Sequence, residues 1–146
     1  MTHLLEVKDL SVTFRSDGAV IRAVNGISYT MDEGESIAIV GESGSGKSVG
    51  VLAVMGLIPT PPGRIESGAV LFDGRNLLEL SEEEMRKVRG AEIAMVFQDP
   101  MTSLNPVLPI GLQLTEAIQT HQNVSKAAAQ ARAVEMLHLV GLPNAA

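Results

Sequence analysis

Residues 36–48 read Ser-Ile-Ala-Ile-Val-Gly-Glu-Ser-Gly-Ser-Gly-Lys-Ser, and an apolar helical stretch, Val49 to Ile58, follows at once. An apolar strand that enters G-x-x-x-x-G-K-S and leaves as a helix is the context in which this pattern denotes a phosphate-binding loop. The glycines at 41, 44 and 46 allow the backbone to curl so that successive N–H groups point inward at a phosphate. A helix beginning near Lys47 adds its positive N-terminal end. Lys47 is a point charge for the β- and γ-phosphates, and Ser48 supplies a hydroxyl to Mg²⁺. The segment therefore predicts binding of a nucleoside triphosphate with magnesium, on an α/β fold.

The 146 residues suffice for one domain with a real core. Apolar residues make up 45% and charged residues 19%, which excludes a disordered tail, while aromatics at 3% leave an aliphatic core. There is no cysteine, so disulfides, thiolate catalysis and cysteine-ligated metals are excluded together. A formal net charge of −6 argues against a duplex-binding protein, whose phosphate contacts need a basic face. The N-terminus, Met1-Thr2-His3-Leu4-Leu5-Glu6, lacks the charged-then-apolar order of a signal peptide. The longest apolar stretch, Val49 to Ile58, is about half of the roughly 20 residues that a membrane span needs. A soluble, cytoplasmic chain is expected.

Residues 4–14 alternate loosely (Leu5, Val7, Leu10, Val12, Phe14) as a strand does. Ser16-Asp17-Gly18 is turn chemistry, Val20 to Val24 reads as the returning strand of a hairpin, and Ile27 to Met31 as a further strand. Antiparallel β structure thus precedes the loop. After Pro59-Thr60-Pro61-Pro62-Gly63 comes a short strand, Ala69 to Phe72, closed by Asp73-Gly74. Ser81-Glu82-Glu83-Glu84 is a capping box opening a solvated helix to about Arg89, with Gly90 as its stop. The continuous apolar run Ile93 to Phe97 predicts a buried parallel strand. From Asp99 to Pro109 the chain carries three prolines and reads as an ordered loop, followed by helices over about 110–121 and 125–140. His3, His121 and His138 stand alone, without partners at metal spacing.

The ordered set Leu10 to Phe14, Val24-Asn25-Gly26-Ile27-Ser28, Gly34-Glu35-Ser36, the phosphate loop, Gly68 to Gly74 and Met95-Val96-Phe97-Gln98-Asp99-Pro100 resembles the nucleotide-binding subunits of ABC transporters. Phe97-Gln98-Asp99-Pro100-Met101-Thr102-Ser103-Leu104-Asn105-Pro106 is similar, more narrowly, to the oligopeptide, dipeptide and nickel importer group. The resemblance implies a P-loop NTPase-type core with an N-terminal antiparallel β subdomain (residues 1–98). It also implies the start of an α-helical subdomain (99–146). It assigns ATP to Gly41, Ser43, Gly44, Ser45, Gly46, Lys47, Ser48 and Val49, with Phe14 stacking on adenine. It gives Mg²⁺ to Ser48 and Gln98, and catalytic roles to Lys47 and Gln98. An amide directly after an apolar strand would emerge at the strand's C-terminal end, where α/β folds bind ligands. The partners implied are a second ATPase subunit in a head-to-tail dimer, two permeases docking on residues 99–106 and, indirectly, an extracytoplasmic solute-binding protein. Nucleic acid is not among them. The implied location is the cytoplasmic face of the bacterial inner membrane.

The family hydrolyses ATP with an L-S-G-G-Q-type signature, an aspartate–glutamate pair ending an apolar strand, and a histidine beyond. Residues 107–146 contain none of these. The chain therefore reads as truncated within the helical subdomain, able to bind nucleotide but not to turn it over, lacking the general base. The alternatives are an ABC-type ATPase of the soluble translation or DNA-repair class and a non-catalytic remnant. A kinase or GTPase is disfavoured, because that class opens with its phosphate loop on the first strand and no Asn-Lys-x-Asp motif occurs.

Overall fold

The computed structural model describes residues 3–16, 18–99 and 103–142. It divides into two compact units, residues 1–89 and 90–146.

The first unit is organised by an antiparallel sheet of four strands in the order β2-β1-β3-β4: β1 (Leu5–Ser16), β2 (Ala19–Met31), β3 (Gly63–Phe72) and β4 (Arg75–Asn76). Central β1 explains the loose alternation. Val7, Leu10 and Val12 are at most 1% exposed, yet the first two are three residues apart. The ladder slips between Val7 and Leu10, with Asp9 at φ 45. A bulge absorbs one residue and returns Leu10 to the inner face. Ser28 Oγ accepts from the Asp9 amide at 2.8 Å, giving that displaced amide a partner.

Two readings of strands change. Val20 to Val24 and Ile27 to Met31 are one strand, because the ladder shifts at Asn25-Gly26 rather than breaking, and Ser11 Oγ accepts the Gly26 amide at 3.0 Å. The short strand at 69–72 starts at Gly63, pairing along β1 from Phe14 to Leu5. The central strand recruits residues whose own alternation is weak.

The apolar strand expected at 36–40 and the parallel strand expected at 93–97 join no sheet among the described residues; Ile93 alone forms an isolated bridge. Their apolar side chains are exposed: 40% at Ile37, 91% at Val40 and 96% at Val96. A strand buried on both faces needs hydrogen-bonded neighbours and covering layers, which sequence pattern presumes but does not supply.

Helix α1 (Lys47–Val54) ends earlier than Ile58. Its last turn closes with the amides of Gly56 and Leu57 donating to Ala53 O at 3.0 Å and Leu52 O at 2.8 Å. A short 3₁₀ turn (Leu77–Glu79) leads to α2 (Glu82–Val88), which has the expected capping box. The Ser81 amide donates to Glu84 Oε2 at 2.8 Å, and the Glu84 amide to Ser81 Oγ at 3.3 Å. These bonds, that of the Ser81 hydroxyl foremost, hold the Glu84 carboxyl below its ordinary range.

In the second unit, α3 (Ile110–His121) and α4 (Lys126–Leu139) pack through Ile118, Ala129 and Ala133, with Leu114 beside them. Small alanines let the two backbones approach. Ser125 caps α4 by accepting from the Ala128 amide at 3.2 Å. The proline-rich segment before α3 is ordered by Gln113, whose Nε2 donates to Asn105 O (2.9 Å) and Leu108 O (3.0 Å). His121, which stands alone in sequence, packs over Gly90: a Cβ at residue 90 would lie 2.7 Å from its Nε2.

Candidate phosphate-binding site

The turn Asp32 to Glu35, where the Asp32 amide donates to Glu35 Oε2 at 2.7 Å, releases the chain from β2 towards the phosphate loop. Within the loop the Ser45 amide donates to Glu42 O at 3.2 Å, folding residues 41–45 into a tight curl. Gly46 follows at φ 89 and is the N-cap of α1. A Cβ there would sit 2.1 Å from the carbonyl oxygen of Ala23 on β2. Only glycine permits both that backbone conformation and that approach. The loop is thereby pressed against the sheet edge.

Lys47 turns back over the curl. Its ammonium donates to Gly41 O at 2.7 Å, Glu42 O at 2.6 Å and Ser45 Oγ at 3.1 Å. A Cβ at residue 41 would lie 2.8 Å from Ser45 Oγ, so glycine there leaves room for the serine under the lysine. No side chain caps α1 and no acidic residue stands in its first turn. Its leading amides and positive end are therefore left to an anion. Exposed Ser48 places a hydroxyl at this helix start, and Val49 beside it is half-buried. Beside the loop lies a cavity of about 450 Å³, lined among others by Asn25, Tyr29, Ile39, Gly41, Lys47 and Gly50. Burial pushes the Tyr29 phenol upward, keeping it neutral at physiological pH.

The donor set suits a polyphosphate: one ammonium, unclaimed helix amides, and glycines where a Cβ would fill the cradle. It also suits magnesium held jointly with phosphates, because Mg²⁺ keeps several waters and asks only one or two groups of the protein. Ser48 is such a group.

Residues 41–49 form this curl and helix start, and the other two expected residues belong to other segments. Phe14 is half-buried near the end of β1, where a Cβ on Gly63 would come within 2.9 Å of its Cε1; it does not line the cavity. Gln98 is exposed in the second unit, directly after 93–97. A second cavity of about 420 Å³ between α3 and α4 is lined by Leu112, Ala133, Val134 and Leu137, with Lys126 and Gln130 at its polar side. It offers no cluster of anion donors.

The sequence profile of the ABC transporter family matches residues 24–146. The chain belongs to that family. It is 55% identical over 143 residues to the oligopeptide transport ATP-binding protein OppD of Bacillus subtilis, covering 98% of this chain and 40% of that one. It is 51% identical over 143 residues to the dipeptide transport ATP-binding protein DppD of Escherichia coli, covering 98% and 43%. The ABC chain thus spans less than half the length of these curated relatives. The ATP-binding cassette MJ0796, solved as a dimer bound to ADP and Pi, superposes with a TM-score of 0.76. That match has 24% identity and covers 96% of this chain and 58% of that one. This likeness establishes the fold. Among the described residues no helix is long and apolar enough to cross a membrane.

Sequence reasoning did not single out Arg89 or Tyr29. Tyr29 is the single tyrosine of the chain, placed at a cavity only by the course of β2.

Proposed function

We propose that this chain is the ATP-binding part of an energy-coupling subunit of an ABC importer for dipeptides or oligopeptides, with nickel as the remaining solute of the resembled group. The observation that carries the reading is the glycine curl closed by Lys47, whose ammonium lies within 2.7 Å of two loop carbonyls at the start of an uncapped helix. The similarity to OppD and DppD supports the importer class.

In this reading the residue 41–49 segment holds the polyphosphate of ATP, with Lys47 moving from the loop carbonyls to the β- and γ-oxygens. Ser48 and Gln98 would hold Mg²⁺, which would supply charge neutralisation of the phosphates. Phe14, half-buried and aromatic, stacks on adenine. Residues 99–106 dock a permease, of which 100–102 lie outside the described residues. A second ATPase subunit completes the site head-to-tail, and an extracytoplasmic binding protein chooses the solute. The subunit works peripherally, on the cytoplasmic face of the membrane.

Binding is read with a fluorescent ATP analogue, and the chain contains no tryptophan whose emission could overlap with it. Lys47→Ala should weaken that binding by about 100-fold, since charge-assisted phosphate bonds contribute on the order of 3 kcal/mol. Equal affinity of the two proteins would sink the nucleotide reading. Steady-state phosphate release should be no higher from the 146-residue chain than from Lys47→Ala, and release above that control would overturn the proposal that it binds without hydrolysing. Co-purification with a permease pair, rather than with ribosomes or DNA, distinguishes the importer from the soluble ATPase class.

A further inference from the structure

Helix α1 is eight residues long, about two turns, and a helix that short is marginal without outside support. It buries Gly50, Ala53 and Val54 and carries no basic residue in its last turn. The carbonyls of Leu52 and Ala53 are taken by the closing amides of Leu57 and Gly56. Those of Met55 and Gly56 point onward, at the negative end of the helix. Arg89, the C-cap residue of α2, reaches both. Its Nε donates to Met55 O at 2.8 Å and its Nη2 to Gly56 O at 2.8 Å. The third arm, Nη1, donates to Glu82 Oε1 at 2.7 Å. The Arg89 side chain is 21% exposed. Met85 of the same helix is buried near Gly56, within 3.9 Å of where a Cβ would stand.

We propose that Arg89 is a positioning residue for the phosphate loop, acting through α1. The loop and α1 form one continuous piece of backbone, and the Gly50 amide donates to Gly46 O at 2.8 Å. One end of that piece rests on Ala23 of β2, and the other is gripped by the guanidinium about 12 Å away along the helix axis. Arginine alone has a planar fork that meets two successive carbonyls and a carboxylate at once; a lysine ammonium cannot span them. With the fork removed, the last turn of a two-turn helix frays, and the first-turn amides that face the phosphate lose their fixed direction. Glu82 aims the guanidinium, so the acidic opening of α2 has divided work: Glu84 caps α2, and Glu82 orients the cation that closes α1.

The inference rests on the nucleotide-binding reading, and the test separates the two. Fluorescent MgATP and inorganic tripolyphosphate are titrated into the wild-type chain, Arg89→Met, Arg89→Lys, Glu82→Gln and Val70→Ala. The last removes buried packing from β3 and serves as a destabilised control. Arg89→Met should weaken both probes about fivefold to tenfold, the scale of one lost charge-assisted contact. Arg89→Lys should fall between it and wild type, and Val70→Ala should stay within about twofold. Wild-type affinity in Arg89→Met, or a loss equal to that of Val70→Ala at matched melting temperature, overturns the inference. If Arg89→Met does not fold, Glu82→Gln decides: a loss of about twofold to threefold is expected, and none overturns the proposal. Failure of the wild-type chain to bind either probe overturns the nucleotide reading, and this inference with it.

Discussion

Strand β1 and the segment leading into the phosphate loop are built from the same kind of residue and meet opposite fates. Val7, Leu10 and Val12 are at most 1% exposed, while Ile37, Ile39 and Val40 are 40–91% exposed. The difference lies in partners. β1 is hydrogen-bonded on both sides, by β2 and β3, and α1 packs against it. Among the described residues, 36–40 join no sheet, and neither do 93–97 beyond an isolated bridge at Ile93. Aliphatic character creates a demand for burial, and neighbours at the right distance decide whether it is met.

The strongest way to break this comparison is to strike the paired side. Leu10→Ala should cost about 2–5 kcal/mol, because the residue is fully enclosed and its bulge cannot collapse around the void. A shift of the denaturant midpoint below that scale would mean the sheet is looser than its ladder implies. Gly46→Ala strikes where loop and sheet meet. A Cβ at 2.1 Å from Ala23 O, added to a left-handed φ, should cost about 3 kcal/mol of local distortion and some 100-fold in nucleotide affinity, read with the fluorescent analogue.

Between these and the unpaired side stands the α2 cap. The Glu84 carboxyl titrates lower in the folded chain than an ordinary glutamate, chiefly through the Ser81 hydroxyl. A depressed acid stabilises the fold above its unfolded pKa, and that contribution is lost as pH falls through the folded pKa. Thermal melts should therefore show Glu84→Gln and wild type diverging at neutral pH and converging as pH falls through the lowered folded pKa. Divergence that grows in acid would be the wrong sign. The smallest effect belongs to Val96→Ser. At 96% exposure the change should stay within about 0.5 kcal/mol by denaturant titration. A loss of core-like size would show that Val96 is covered in solution.

Local signals were legible in the sequence wherever one residue type satisfies one geometric need. Ser81 with Glu84 and the left-handed glycines at 44 and 46 behave as their spacing predicts, because each acts within a few residues of itself. The full length of β2 and β3 was not legible, since their weakly patterned halves are held by ladder bonds to β1. Arg89 was invisible for the same reason: its two carbonyl partners lie 33 and 34 residues away in sequence. Glu82 to Glu84 read as a solvated helix start, and only the fold separates the cap from the guanidinium's partner.

By itself, then, the sequence determined the glycine curl that leads into α1 and the capping box that starts α2, because these depend on backbone conformation and short-range hydrogen bonds. Its ordered motifs also determined membership of the ABC family. The tertiary structure decided that Gly46 rests against Ala23, that Arg89 closes α1, and that one apolar run is buried while another stays open. Those outcomes depend on which distant segments arrive beside each residue, and hydrophobic attraction carries no address for its partner.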